Sequence, residues 1–144
     1  MKIRRLTTRS PEETLLFGAK IGRKLKPGDV LLLEGDLGAG KTTFVKGVAR
    51  GLGLRDVSAV KSPTFVIMHI YETKPPLYHF DLYRIASNSD LDVFGFQDFL
   101  NDPQAVACVE WAERAGQDLP VSCYRFSFRM TKGNLREIVW SSPP

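Results

Sequence analysis

Ten residues, Glu34-Gly35-Asp36-Leu37-Gly38-Ala39-Gly40-Lys41-Thr42-Thr43, carry the most specific chemistry in the chain. Gly35, Gly40, Lys41 and Thr42 satisfy the spacing G-x-x-x-x-G-K-[ST] of a phosphate-gripping loop, the Walker A pattern. Glycines allow the backbone to wrap closely, so that N–H groups converge on phosphate oxygens. A helix opening near Lys41 adds its positive end to the same anion. In such a loop Lys41 reaches the β- and γ-phosphates and the Thr42 hydroxyl ligates Mg²⁺. A chance glycine turn lacks the required context. Here an apolar run (residues 30–33) precedes the loop and a helical pattern follows it. The expected ligand is therefore a nucleotide with Mg²⁺, held by Leu37, Gly38, Ala39, Gly40, Lys41, Thr42 and Thr43.

A metal-bound nucleotide also needs a carboxylate at the end of a neighbouring strand, and two acids compete. Asp81 closes the run LYHF (77–80), and Glu110 closes AVACV (105–109). The second run is the more purely apolar, as a central parallel strand should be. We therefore assign Glu110 to the Mg²⁺ shell, through a water, and Asp81 to the γ-phosphate side, one strand further out. Which of the two lies nearer the metal stays open at this level. Lys61-Ser62-Pro63-Thr64 falls where a loop meets the γ-phosphate and metal in proteins of this kind, and Ser62 or Thr64 is the candidate sensor. The same four residues also read as a plain turn before a strand. His69 and His79 have no metal-ligand pattern around them and read as strand residues. No Asn-Lys-x-Asp element for reading guanine occurs, so adenine is the expected base.

These residues need a scaffold, and the pattern supplies one. Ser10-Pro11-Glu12-Glu13 has the form of a capped helix start, with apolar Leu15, Leu16, Ala19, Ile21 and Leu25 following to the turn at Lys26-Pro27-Gly28-Asp29. Residues 30–34 read as a buried strand and residues 41–52 as a helix that Gly51 and Gly53 end. Strands are expected at 65–71, 77–80 and 105–109, with short helical pieces at 91–94 and 96–100. Residues 124–130 alternate strictly, Thr131-Lys132-Gly133-Asn134 turn, and residues 135–140 return, which is a hairpin signature. The expected fold is a single α/β domain over residues 1–144: a three-layer P-loop NTPase-like domain with a mixed, mainly parallel central sheet and a C-terminal β-hairpin.

Composition narrows the setting. With 43% hydrophobic and 25% charged residues the chain is globular rather than disordered. No apolar run approaches the roughly 18 residues of a membrane span, and the basic N-terminus lacks the apolar core of a secretory signal. Cys108 and Cys123 each sit in an apolar stretch, as reduced core thiols do. The expected location is the cytoplasm. Residues 1–29 hold eight Lys/Arg against three Asp/Glu, and the remainder is close to neutral. Without a long basic run or interleaved aromatics this reads as a solvated face, not as a direct nucleic-acid surface.

Two other functions use the same grip. A small-molecule kinase needs an acceptor site and an arginine-rich lid that excludes water. Residues 111–144 are taken up by a short helical segment and the hairpin, and Arg84 and Arg114 stand alone. A nucleotide-dependent binding module with negligible turnover is the second alternative. The four stretches GDLGAGKTTF (35–44), VKSPTF (60–65), YHFDLYR (78–84) and VEWAER (109–114), with SPEET (10–14) and Arg136, resemble the bacterial TsaE (YjeE) family across nearly the whole chain. The resemblance implies an ATPase required for N6-threonylcarbamoyladenosine at position 37 of tRNAs that read codons beginning with adenine, and Mg²⁺-dependent hydrolysis by the lone chain is expected to be slow and changed by its partners. The resemblance also implies TsaB and TsaD as partners, a TsaB–TsaD complex that itself performs the transfer, and contact with tRNA only through that complex. Carried over by position, Glu110 is the family's second acid, Asp81 its functional aspartate, Trp111 the tryptophan after the acid, and Ser10 and Arg136 border the nucleotide.

Replacing Lys41 removes charge-assisted hydrogen bonds worth about 1.5–3 kcal/mol. Lys41→Ala is accordingly expected to weaken ATP binding roughly ten- to hundredfold by calorimetry, and unchanged affinity would remove the Walker A assignment.

Overall fold

The computed structural model describes residues 2–144. Its elements in chain order are β1 (Ile3–Thr8), α1 (Pro11–Gly22), β2 (Val30–Gly35), α2 (Lys41–Gly51), β3 (Met68–Tyr71), β4 (Leu77–Asp81), α3 (Asn88–Phe94), α4 (Phe96–Leu100), β5 (Val106–Glu110), β6 (Tyr124–Met130) and β7 (Arg136–Ser141). The strands form one sheet in the order β1-β7-β6-β2-β5-β4-β3. The four central strands are parallel, and antiparallel pairs close both margins. This is the mixed sheet with a C-terminal hairpin that the pattern predicts. No helix among the described residues is long and apolar enough to cross a membrane.

Period-2 alternation divides the central strands between two cores. Leu31, Leu33, Val106, Cys108, Phe126 and Phe128 face α1 and α2, where Phe44, Val45 and Val48 meet them. Val30, Leu32, Phe80 and Val109 face the other way, toward Leu91, Phe96 and Leu100. Both cysteines are free and buried, and burial pushes both thiols above the usual range.

Two stretches differ from the expected elements. The N-terminal IRRLTT, unassigned from sequence, is the edge strand β1. Most of its side chains are exposed, so no apolar alternation marks it. Backbone pairing to β7 holds it, with Arg4 over the Trp140 ring at 4.8 Å and Arg5 3.7 Å from Glu137. Conversely, the strand expected from residue 65 begins only at Met68. Ile67 has φ 71°, and its N–H bonds to the Pro63 carbonyl at 2.6 Å, closing a turn that leaves Phe65 85% exposed. The Ile67 carbonyl in turn accepts from the Asp81 N–H at 2.8 Å, so this turn is tied to the end of β4.

The helices α1 and α2 cross almost backbone to backbone. Gly18 and Gly22 face Gly47 and Gly51, four residues apart on each helix, and a Cβ added at Gly47 would lie 2.0 Å from the Leu15 carbonyl oxygen. Alanine is otherwise about 1 kcal/mol better than glycine inside a helix. Gly47→Ala is nevertheless expected to destabilise the protein by roughly 1–3 kcal/mol, read from urea denaturation. A neutral or stabilising effect would mean the helices separate freely.

Candidate functional site

The loop between β2 and α2 begins where β2 runs out of partners. Gly35 has φ 136°, and a Cβ there would strike the Phe128 carbonyl oxygen at 2.2 Å, so only glycine passes. Gly40, at φ 105°, caps α2 without any side-chain hydrogen bond. The first N–H groups of a helix have no intrahelical acceptor. Those of Lys41, Thr42 and Thr43 therefore open at the helix end, where its dipole favours an anion.

Lys41 is 5% exposed. Its Nζ donates to the carbonyl oxygens of Gly35 (2.5 Å) and Asp36 (3.0 Å), and it lies 4.1 Å from the centroid of the Trp111 ring. Burial lowers the Lys41 pKa, and Glu110, Glu113, Asp81 and Asp36 oppose that shift electrostatically. The loop's own carbonyls thus hold the ammonium. Trp111 reaches over it because the residue itself adopts left-handed backbone, φ 56°, a conformation costing about 1–3 kcal/mol outside glycine. The Tyr83 ring packs on Trp111 at 4.9 Å.

The register of the central strands brings the acids to the same edge. Glu110 pairs with Leu33 of β2 on one side and Asp81 of β4 on the other. The Thr42 hydroxyl donates to Glu110, 3.0 Å from each carboxylate oxygen, and His79 Nε2 lies 2.5 Å from Oε2. Asp81 Oδ2 accepts from the hydroxyls of Ser62 (2.6 Å) and Thr64 (3.0 Å), while Oδ1 accepts from the Tyr83 N–H (2.9 Å). Both acids are 2% exposed, and buried carboxylates need such donors. Hydroxyl and carboxylate oxygens are the hard donors that suit Mg²⁺, so Thr42 with Glu110 is a fitting cation-binding pair.

Lys41, Thr42, Asp81 and Glu110 line one cleft of about 380 Å³, with Leu37, Gly38, Gly40, Thr43, Thr64 and Trp111 also on its walls. Ala39 is 1% exposed and belongs to the core cluster beneath α2. Ser10 and Arg136 are not in this cleft. They line a second hollow of about 430 Å³ across Gly38, Gly40 and Thr43. There the Ser10 side chain already caps α1 by accepting from the Glu13 N–H at 3.2 Å, and Arg136 Nη1 is buried without a partner among the described residues. Sequence reasoning missed His79 and Tyr83 as site residues. The signal for His79 is its spacing: two residues before Asp81 in a strand, it shares that residue's face.

A mainly parallel sheet whose glycine loop feeds directly into a helix, beside acids on two adjacent strand ends, defines a P-loop α/β domain. Within that class the chain belongs to the TsaE family. The family model described as threonylcarbamoyl adenosine biosynthesis protein TsaE matches residues 8–138. A protein of that name from Treponema pallidum is 40% identical over 134 residues, 93% of this chain and 97% of the relative. The Bacillus subtilis protein of the same name is 41% identical over 143 residues, 99% and 87% of the two chains. The crystal structure of Bacillus subtilis YdiB aligns with a TM-score of 0.80 at 38% identity, covering 99% of this chain and 87% of that one.

Trp111 borders the cleft, whereas Trp140 stacks on Phe126 at 5.6 Å in β7. Titrating ATP with Mg²⁺ is expected to change the emission of the wild type and of Trp140→Phe but not of Trp111→Phe. A response that follows Trp140 would place the ligand elsewhere.

Proposed function

We propose that this chain is a slow, Mg²⁺-dependent ATPase of the cytoplasm that serves the formation of N6-threonylcarbamoyladenosine at position 37 of tRNAs reading codons beginning with adenine. It acts on a TsaB–TsaD complex and reaches tRNA only through it. The observation that carries the ATPase reading is the Thr42 hydroxyl bonded at 3.0 Å to both oxygens of Glu110 at the mouth of the glycine loop. The modification itself is supported by the names of relatives about as similar as those from Treponema pallidum and Bacillus subtilis.

Each residue then has a definite task. Lys41 exchanges the carbonyls of Gly35 and Asp36 for phosphate oxygens, while the open N–H groups at the start of α2 hold the same anion. Thr42 and Glu110 hold the cation. Mg²⁺, when bound, neutralises the charge that develops on the phosphate oxygens. Asp81 is a buried acceptor beside the terminal phosphate side, where it orients an attacking water, and the Ser62 and Thr64 hydroxyls on it connect that position to the exposed loop. Among the described residues lining the cleft, Lys41 is the one cation. An arginine supplied from a partner raises phosphoryl-transfer rates about 10³–10⁵-fold, so this lining supports the reading of an enzyme that is slow alone and regulated by an assembly.

Phosphate release by the lone chain is expected to be slow and to change at least about tenfold when TsaB–TsaD and tRNA are added, with Glu110→Gln lowering it roughly 10–100-fold. Transfer of the γ-phosphate to a small acceptor faster than hydrolysis would replace this reading with a kinase.

A further inference from the structure

His79 is completely buried on β4 and opposes Cys108 of β5 in register. Its ring lies 6.3 Å from that of Tyr71, tilted by 32°. Nε2 contacts Glu110 Oε2 at 2.5 Å, whereas Nδ1 is buried with no hydrogen-bond partner among the described residues. A carboxylate oxygen accepts, so Nε2–H is the donor in this contact. A polar atom orphaned in a core is a cost that calls for a reason. Leucine of similar bulk would fill the space without it, so packing alone does not explain this side chain. Its hydrogen bond to Glu110 does.

We propose that His79 is the positioning residue for the cation half of the site, an inference that rests on Thr42 and Glu110 being the Mg²⁺-binding pair. The terminal torsion of a glutamate is broad and has no sharp staggered minima, so the strand does not by itself orient this carboxylate. Both hydrogen bonds converge on Glu110. His79 Nε2–H donates to Glu110, and Glu110 accepts the Thr42 hydroxyl proton. With that proton committed inward, the Thr42 oxygen presents its lone pairs to the cleft. Without the imidazole, Glu110 rotates, the hydroxyl is free to turn its proton outward, and the cation loses a ligand while the phosphate grip of Lys41 and the loop is untouched. Partners of ligating groups act this way at metal sites, and losing one costs about 10–100-fold in metal affinity.

The test compares the full chain with His79→Leu, His79→Asn and His79→Gln, titrating β,γ-imido ATP by calorimetry in EDTA and over a range of Mg²⁺. Glutamine reaches as far as imidazole Nε2 and asparagine stops short of it. All forms are expected to bind the metal-free nucleotide within about threefold of wild type. The Mg²⁺ concentration that gives half the gain in affinity is expected to rise about 10–100-fold in the Leu and Asn variants and to stay near wild type in the Gln variant. Unchanged Mg²⁺ dependence in His79→Leu, or a Gln variant as impaired as the Leu one, would overturn the proposal. If His79→Leu does not fold, the Asn and Gln variants decide, and equal behaviour between them overturns it. A wild type whose affinity gains nothing from Mg²⁺ would instead remove the Thr42–Glu110 reading, and the role of His79 with it.

Discussion

The parallel register of β2, β5 and β4 is the constraint on which the site depends. Leu33, Glu110 and Asp81 lie side by side across it, so the strand that feeds the glycine loop passes beside both acids and runs two residues beyond them, to Gly35. A shift of one residue in β5 would turn Glu110 to the opposite face of the sheet and leave the Thr42 hydroxyl without its acceptor. The register is held by the apolar side chains behind it, Leu31, Leu33, Val106 and Cys108 on one face and Leu32 and Val109 on the other, all buried.

Two carboxylates at 2% exposure would be costly on their own. Each is satisfied differently. Glu110 takes donors from the start of α2 and from the core, through Thr42 and His79. Asp81 takes donors from a loop and from its own strand's continuation, through Ser62, Thr64 and the Tyr83 N–H. The first set comes from regular elements, the start of α2 and the strand β4. The second ties a loop bearing the exposed Phe65 and Val66 to the cleft, so whatever changes the bonding of Asp81 changes the anchoring of that loop.

The close crossing of α1 and α2 serves the same end. Pressing α2 onto α1 through paired glycines places Gly40 and Thr43 next to Ser10 and Arg136, so the glycine loop is walled on both sides. Phe44, the fourth residue of α2, anchors the helix on Phe126 at 4.7 Å and holds Lys41 and Thr42 at the sheet edge.

Much of this was legible in the chain. The loop is a local object whose glycine, lysine and threonine positions follow from backbone geometry alone, and apolar runs ending in an acid marked β4 and β5 because buried parallel strands read as such runs. The edge strand β1 escaped because its exposed face carries arginines instead of an apolar alternation. Residues 65–67 misled because an apolar composition favours a strand, while the bond from Ile67 to Pro63 turns the chain. By itself, then, the sequence determined most of the elements and the residues whose chemistry is local. Tertiary structure alone decided that His79 meets Glu110 across 31 positions, that Gly18 meets Gly47, and that Ser10 and Arg136 share a hollow separate from the acids. Those contacts join distant segments, and only strand order and helix crossing bring such segments within reach.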